Sequence, residues 1–254
     1  MKKILSICVA LCLGLLWACA EVVVLSPSHL SGKKSMDDPG KLPITLQKFK
    51  EIQKQKNGQM ERKRGLAPTC DPDDSKTLKV PAEMQKTPAW CWAATSRMIM
   101  NYKKNRPADE LHSQCKIVTN ILDHKSGGAN CCEQRDSSGL IDPPSNCVRG
   151  EWPSVVFEWY GFNYVSVEEA LDWDALTNEI CGNGPFLYVV NLRGGGRHAL
   201  VVKGYDAKSR EGHIVQTYDP TQADFEDQTL EEFMFGETHY RDYAQISPKA
   251  EDQP

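Results

Sequence analysis

Four side chains in this sequence carry the groups that acyl transfer requires: a thiol, an imidazole, a carboxylate and a primary amide. Cys91 sits between Trp90 and Trp92 in KTPAWCWAATSRMIMNY, where a helix is expected to begin. A thiol in the first turn of a helix feels the positive end of the helix dipole, which favours the thiolate. His198 opens the strand-like HALVVKGY directly after Gly194-Gly195-Gly196, where the chain permits close approach. Asp219 closes the next apolar run, GHIVQTYDP. A simple hairpin in which Tyr205 faces Gly212 brings Asp219 opposite His198 on the same face. Directly opposed Cβ atoms lie about 4.5–5.5 Å apart, within reach of an imidazole–carboxylate hydrogen bond. Gln85 precedes Cys91 by six residues. Its amide can fold beside the helix start and, with the Cys91 N–H, donate to a developing oxyanion. The expected chemistry is thiolate attack on a carbonyl carbon, with His198 as the base, Asp219 as its orienting group and water clearing the acyl-enzyme.

The remaining histidines of the six do not suggest chemistry. His29 falls in an N-terminal segment, His112 and His124 flank a helix, and His213 and His239 lie on expected strands; structural or surface roles fit each. Trp90 and Trp92 are expected to pack at the cleft edge, and Trp152, Phe157, Trp159 and Tyr160 in the core.

The elements that must position these groups are legible from periodicity. Residues 91–104 form a helix ended by Pro107, and 109–122 a second helix. Residues 124–150 are loop-like, 152–160 a short helix, FNYVSV a strand and 173–181 a helix. Strands then follow at PFLYVVNL, HALVVKGY and HIVQTYDP, with a short helix at TLEEFMF and a last strand at THYRDYAQI. Helices first and an antiparallel sheet after them make an α+β pattern. The expected organisation is a signal peptide over 1–20, a basic tether or pro-segment over 21–69 and a catalytic domain over 70–254.

Lys2 and Lys3 before the apolar run Ile4–Ala20 are the marks of a secretory signal. Leu16-Trp17-Ala18-Cys19 resembles a bacterial lipobox, which would attach the chain to a membrane through a lipidated Cys19; Ala18-Cys19-Ala20 also fits plain cleavage. The expected destination is the cell envelope or the medium. Residues 31–64 hold ten Lys or Arg against four Asp or Glu, whereas 65–254 hold 18 against 29. The basic segment is expected either to lie across the acidic domain, as in a zymogen processed at Arg62-Lys63-Arg64, or to be a solvated tether. The acidic domain argues against nucleic acid as a partner. No cofactor and no metal are expected, and a monomer acting on a peptide or protein is.

Of ten cysteines, Cys8, Cys12 and Cys19 belong to the signal region, leaving seven. In an oxidising compartment this odd number gives three disulfides and one free thiol, Cys91. Adjacent Cys131 and Cys132 are expected to have separate partners, Cys115 and Cys147 between them, which leaves Cys70 with Cys181. A zinc site from Cys115, Cys131, Cys132 and Cys147 with His112 or His124 is the competing use of the same residues.

Gln85…Cys91-Trp92-Ala93-Ala94, then His198-Ala199-Leu200-Val201-Val202, then Tyr218-Asp219-Pro220 resembles the papain-like cysteine peptidases, and most of all the small bacterial bacteriocin-processing-like and effector-type members. The similarity spans roughly 76–246. It implies a helical lobe and a β-sheet lobe with a cleft between them, Cys91 as nucleophile at the start of the central helix, His198 as base, Asp219 as orienter and Gln85 as oxyanion donor. Papain itself has Asn where this chain has Asp219, and a cysteine where this chain has Pro88, so its disulfide pattern does not transfer. Two other classes use or retain the same residues: transglutaminase- or amidase-type acyl transfer, and a lipoprotein with a peptidase fold that only binds.

Overall fold

The computed structural model describes residues 38–64, 71–104, 113–126, 130–132, 142–222, 224–235 and 238–250. The signal region, the lipobox, Cys70 and His112 lie outside the described residues, as does the His124 side chain. The described elements are α1 (Leu46–Arg64), β1 (Ser75–Thr77), α2 (Cys91–Lys104), α3 (Gln114–Ser126), a 3₁₀ turn at Ser145–Cys147, α4 (Pro153–Trp159), β2 (Phe162–Val167), α5 (Trp173–Gly182), β3 (Phe186–Asn191), β4 (Arg197–Asp206), β5 (Ile214–Asp219), β6 (Asp224–Thr229), α6 (Leu230–Phe235) and β7 (His239–Pro248).

The strands form one sheet in the order β2-β7-β3-β4-β5-β6, with β1 paired to the far half of β4, and these pairings are all antiparallel. Side chains alternate along β4. Ala199 and Val201 join the core formed with α2, α3 and α4, while Leu200 and Val202 join a second core with Phe49 of α1, Leu176 of α5 and Phe233 of α6. The sheet is thus covered on both faces. This explains why β3 and β4 read as continuous apolar runs rather than as alternating ones. The fold is α+β, as the sequence suggests.

β6, sequence DFEDQT, carries too few apolar residues to register as a strand. It is an edge strand, and charge on an edge discourages pairing with another chain. The turn of the hairpin joining β4 and β5 lies further along the chain and is one residue longer than expected. Val201 pairs with Tyr218, Gly204 with Gln216 and Asp206 with Ile214, with an irregularity between Val202 and Gly204. The register is therefore shifted from the one in which His198 faces Asp219 directly, because the turn lies at residues 207–213 and a bulge absorbs one residue of β4.

Residues 38–59 fold onto the domain. Asp38 accepts from Arg241 Nη1 at 3.0 Å and from the Tyr243 hydroxyl at 2.7 Å, and it also bonds Ser154. A side chain at Gly40 would meet the Tyr164 hydroxyl at 2.5 Å, so only glycine passes here. Ile44 bridges to Val167 in parallel fashion. Lys50 pairs with Asp172 at 2.6 Å, Gln53 Nε2 donates to the Ala175 carbonyl at 3.0 Å, and Phe49 is fully buried. Phe49, Lys50 and Gln53 lie against α5 and the sheet face turned away from α2, whereas Asp38 and Gly40 meet α4, Tyr164 and Tyr243 of the other core. Truncating Phe49 to alanine is expected to cost about 3–5 kcal/mol of stability, the usual range for a buried phenylalanine. A urea titration of the full chain measures it.

The adjacent cysteines have the separate partners expected of them: Cys115 bonds Cys132 and Cys131 bonds Cys147. Adjacent cysteines point in different directions, and here Cys132 faces α3 while Cys131 pins the 3₁₀ turn at Cys147. All four sulfurs being bonded, none is a thiolate for zinc. Cys181 is disulfide-bonded as well, and Cys91 is the free thiol among the described residues.

Candidate active site

Cys91 is the first residue of α2. The Trp90 carbonyl accepts from Ala93 and Ala94, so the N–H of Cys91 precedes the first turn's hydrogen bonding. Two indoles fix this helix start. Trp90 Nε1 donates to the Cys147 carbonyl at 2.8 Å and Trp92 Nε1 to the Arg149 carbonyl at 3.2 Å. The tryptophans flanking the thiol are anchors, and the Cys131–Cys147 disulfide holds the loop to which they are tied.

His198 stands at the start of β4 and Asp219 at the end of β5. Despite the shifted register, His198 Nε2 lies 2.8 Å from Asp219 Oδ1. The same oxygen accepts from the Thr221 backbone N–H and hydroxyl, both at 2.7 Å. Thr221 thus locks the carboxylate towards the imidazole; sequence reasoning missed this residue, although the turn-forming Asp219-Pro220-Thr221 carries the signal for it. Burial pulls the His198 pKa down, but the hydrogen bonds and charges of Asp219 and Cys91 outweigh it and push the value up to about 9. Burial raises the Asp219 pKa, and the bonds from His198 and Thr221 overcome that and hold it below its ordinary value. The imidazole therefore stands between the carboxylate and the thiol, protonated at neutral pH. Sequence reasoning placed these three together, and the structure brings them together.

Gln85 is held from both sides. Its backbone N–H donates to the Pro220 carbonyl at 2.8 Å, next to Asp219. Buried Gln114 of α3 accepts from the Lys86 N–H at 2.9 Å and donates to Glu83 and to the Met84 carbonyl, both at 2.7 Å. Arg97 of α2 pairs with Glu83. Gln85 Oε1 is buried without a hydrogen-bond partner among the described residues, so the side-chain amide is uncommitted. Glu83, Arg97 and Gln114 went unnoticed in the sequence because they act on Gln85 through tertiary contacts that no spacing reveals.

His213 stacks on Trp173, ring centroids 4.0 Å apart, and His239 stacks on Tyr188. Neither belongs to this cluster. A thiol at a helix start, a protonated imidazole, an ionised carboxylate and an unpaired amide on the segment before the helix form the equipment for acyl transfer from a peptide bond.

Residues 74–236 match the family model of the papain-like cysteine protease AvrRpt2. The chain belongs to that family and is a papain-like cysteine peptidase, a hydrolase of peptide bonds. Among solved structures it is similar to xylellain, a cysteine protease from Xylella fastidiosa, with 12% identity, 74% of this chain and 90% of that one covered, and a TM-score of 0.49. It is also similar to procathepsin B S9 from Trypanosoma congolense, with 10% identity, 67% and 73% covered, and a TM-score of 0.45. No curated protein matches it.

Proposed function

We propose that the peptidase works through a Cys91–His198–Asp219 triad with Gln85 completing the oxyanion site. The observation that carries this is the single imidazole bonded to Asp219 at 2.8 Å on one side and interacting with the Cys91 thiol on the other. Thiolate Cys91 attacks the scissile carbonyl carbon, and the oxyanion takes hydrogen bonds from the Cys91 N–H and the Gln85 amide. His198 gives its proton to the departing amine, and then, as base, activates the water that releases the acid. Asp219 keeps Nε2 as donor and so leaves Nδ1 to face the thiol.

The experiment is kcat/KM of full-length variants on one peptide found by library cleavage. Gln85→Ala lowers kcat by on the order of 10², the usual cost of one oxyanion donor. Asp219→Asn retains substantial activity, because the amide oxygen still accepts from the imidazole, whereas Asp219→Ala loses much more. An Asp219→Ala enzyme as active as wild type would show that another group orients His198.

Acylation needs the imidazolium, so kcat/KM falls as pH rises through about 9. In Asp219→Asn this alkaline limb moves down, since the carboxylate is among the groups that raise it. The stability linkage has the same sign. A histidine raised from 6.5 to about 9 adds stability that is full below about 6.5 and lost as pH climbs to 9. A limb unmoved by the substitution contradicts the assignment.

The chain is further proposed to act outside the cytoplasm as a monomer, routed by residues 1–20 and held, where Cys19 is lipidated, at a membrane. Its disulfides are compatible with an oxidising compartment. No helix among the described residues is long and apolar enough to cross a membrane. Residues 38–59 are proposed to be part of the enzyme rather than a removable inhibitor, because Phe49 is buried in the second core behind the sheet and Asp38 is tied to Ser154, Arg241 and Tyr243. Cleavage after Arg64 then leaves the rate unchanged; an increase on cleavage would restore the zymogen reading.

A further inference from the structure

A cavity of about 340 Å³ opens at the end of the sheet on the side of the His198–Asp219 pair. His198 and Asp219 form one wall; neither Cys91 nor Gln85 nor any residue of α2 lines it. The acyl half of a substrate stays on Cys91, and the amine half must leave past the imidazole that protonates it. A hollow walled by His198 but not by Cys91 therefore lies on the side of the departing peptide.

Its interior has a defined chemistry. Tyr188, Leu200 and Phe233 make apolar walls. His239 lines the cavity with its side chain only 8% exposed; the Phe233 backbone and Asp242 Oδ1, the latter 3.4 Å from Nε2, stand beside its ring nitrogens, and neither completes a well-formed hydrogen bond among the described residues. Burial pushes its pKa down to about 4, so at neutral pH the ring is uncharged and offers one donor and one acceptor. The charged groups on the lining balance: Asp219 against protonated His198, and Glu232 against Arg193. The carboxylates are also already engaged, Asp219 by His198 and Thr221 and Glu232 by Thr229. A cationic or anionic guest gains no net partner, whereas a neutral polar group satisfies His239.

We propose that this cavity receives the side chain of the first residue of the departing peptide and selects a large, uncharged side chain with a hydrogen-bonding end. The proposal rests on the triad assigned above, and the two can fail separately.

Acyl-enzyme partitioning reads the site directly. The full chain is acylated on Cys91 with a p-nitrophenyl ester of an N-blocked amino acid in the presence of amino-acid amides. An amide's amine nitrogen attacks the thioester carbonyl, the new C–N bond forms as C–S breaks, its proton passes to His198, and Cys91 leaves as thiolate. The ratio of amide product to acid product, relative to glycinamide, measures occupancy of the cavity. Tyrosinamide is expected to exceed phenylalaninamide, and glutaminamide to exceed leucinamide, by on the order of tenfold, because each pair differs in the polar end that His239 meets. Glutamic acid amide and argininamide fall below glutaminamide. His239→Leu removes the preference of tyrosine over phenylalanine. Thr238→Trp, at a half-buried lining position, flattens the response to every large amide. Equal ratios across the wild-type series, with an acyl-enzyme forming and hydrolysing normally, overturn the cavity assignment alone; no acyl-enzyme on Cys91 overturns the triad and the cavity assignment together.

Discussion

Replacing Cys91 by alanine leaves a folded chain whose peptidase activity is lower by on the order of 10⁴ or more. The step that forms the acyl-enzyme has no substitute nucleophile. Cys115, Cys131, Cys132, Cys147 and Cys181 are all in disulfides, and Cys91 is the free thiol among the described residues. The fold survives because Cys91 begins α2 rather than filling its middle. The helix start is fixed by the indoles of Trp90 and Trp92 on the 147–149 backbone, and those bonds do not involve the sulfur. Circular dichroism and a melting curve close to wild type, beside kcat/KM on a common peptide, check both halves. An alanine variant that cleaves at a tenth of the wild-type rate would remove the thiol from the mechanism.

His198→Ala brings a loss of the same order, since one imidazole both protonates the amine and activates the water. Neither described alternative can replace it. His213 is stacked on Trp173, and His239 is stacked on Tyr188. The double variant with Cys91→Ala should lose no more than either single one, because the two groups act as a unit and their effects are not additive. Additive losses in that cycle would mean that His198 acts at a separate step or through stability alone.

The sequence made the chemistry more legible than the geometry that holds it. Helix α2, the helix after Leu171 and the strands carrying His198 and Asp219 announce themselves because their apolar residues follow one period and their ends carry Gly, Pro or Asp. The His198–Asp219 contact is correct although its argued register is not: a turn set later in the chain and a bulge in β4 shift the pairing, and the side chains still meet across the strand ends at 2.8 Å. Strand β6 escaped notice because an acidic edge has no apolar stripe. Cys115 and Cys147 as the partners of Cys131 and Cys132 are legible, but which takes which follows from how α3 and the loop after it pack, not from spacing. Gln114, Arg97 and Glu83, which hold the segment bearing Gln85, are individually ordinary residues, as is Asp38, which ties the N-terminal segment to Arg241 and Tyr243. Their partners are distant in sequence, and a partnership of that kind is visible only once the chain is folded.

The most direct test is to alkylate the full chain with iodoacetamide without reductant, locate the adduct by mass spectrometry and assay the remaining activity at each stage. Activity is expected to fall in proportion to a single adduct on Cys91, and the adduct to form much more slowly in His198→Ala, where the imidazole no longer stabilises the thiolate. Full activity with Cys91 completely alkylated, or loss of activity that follows modification of a different residue, would contradict the account.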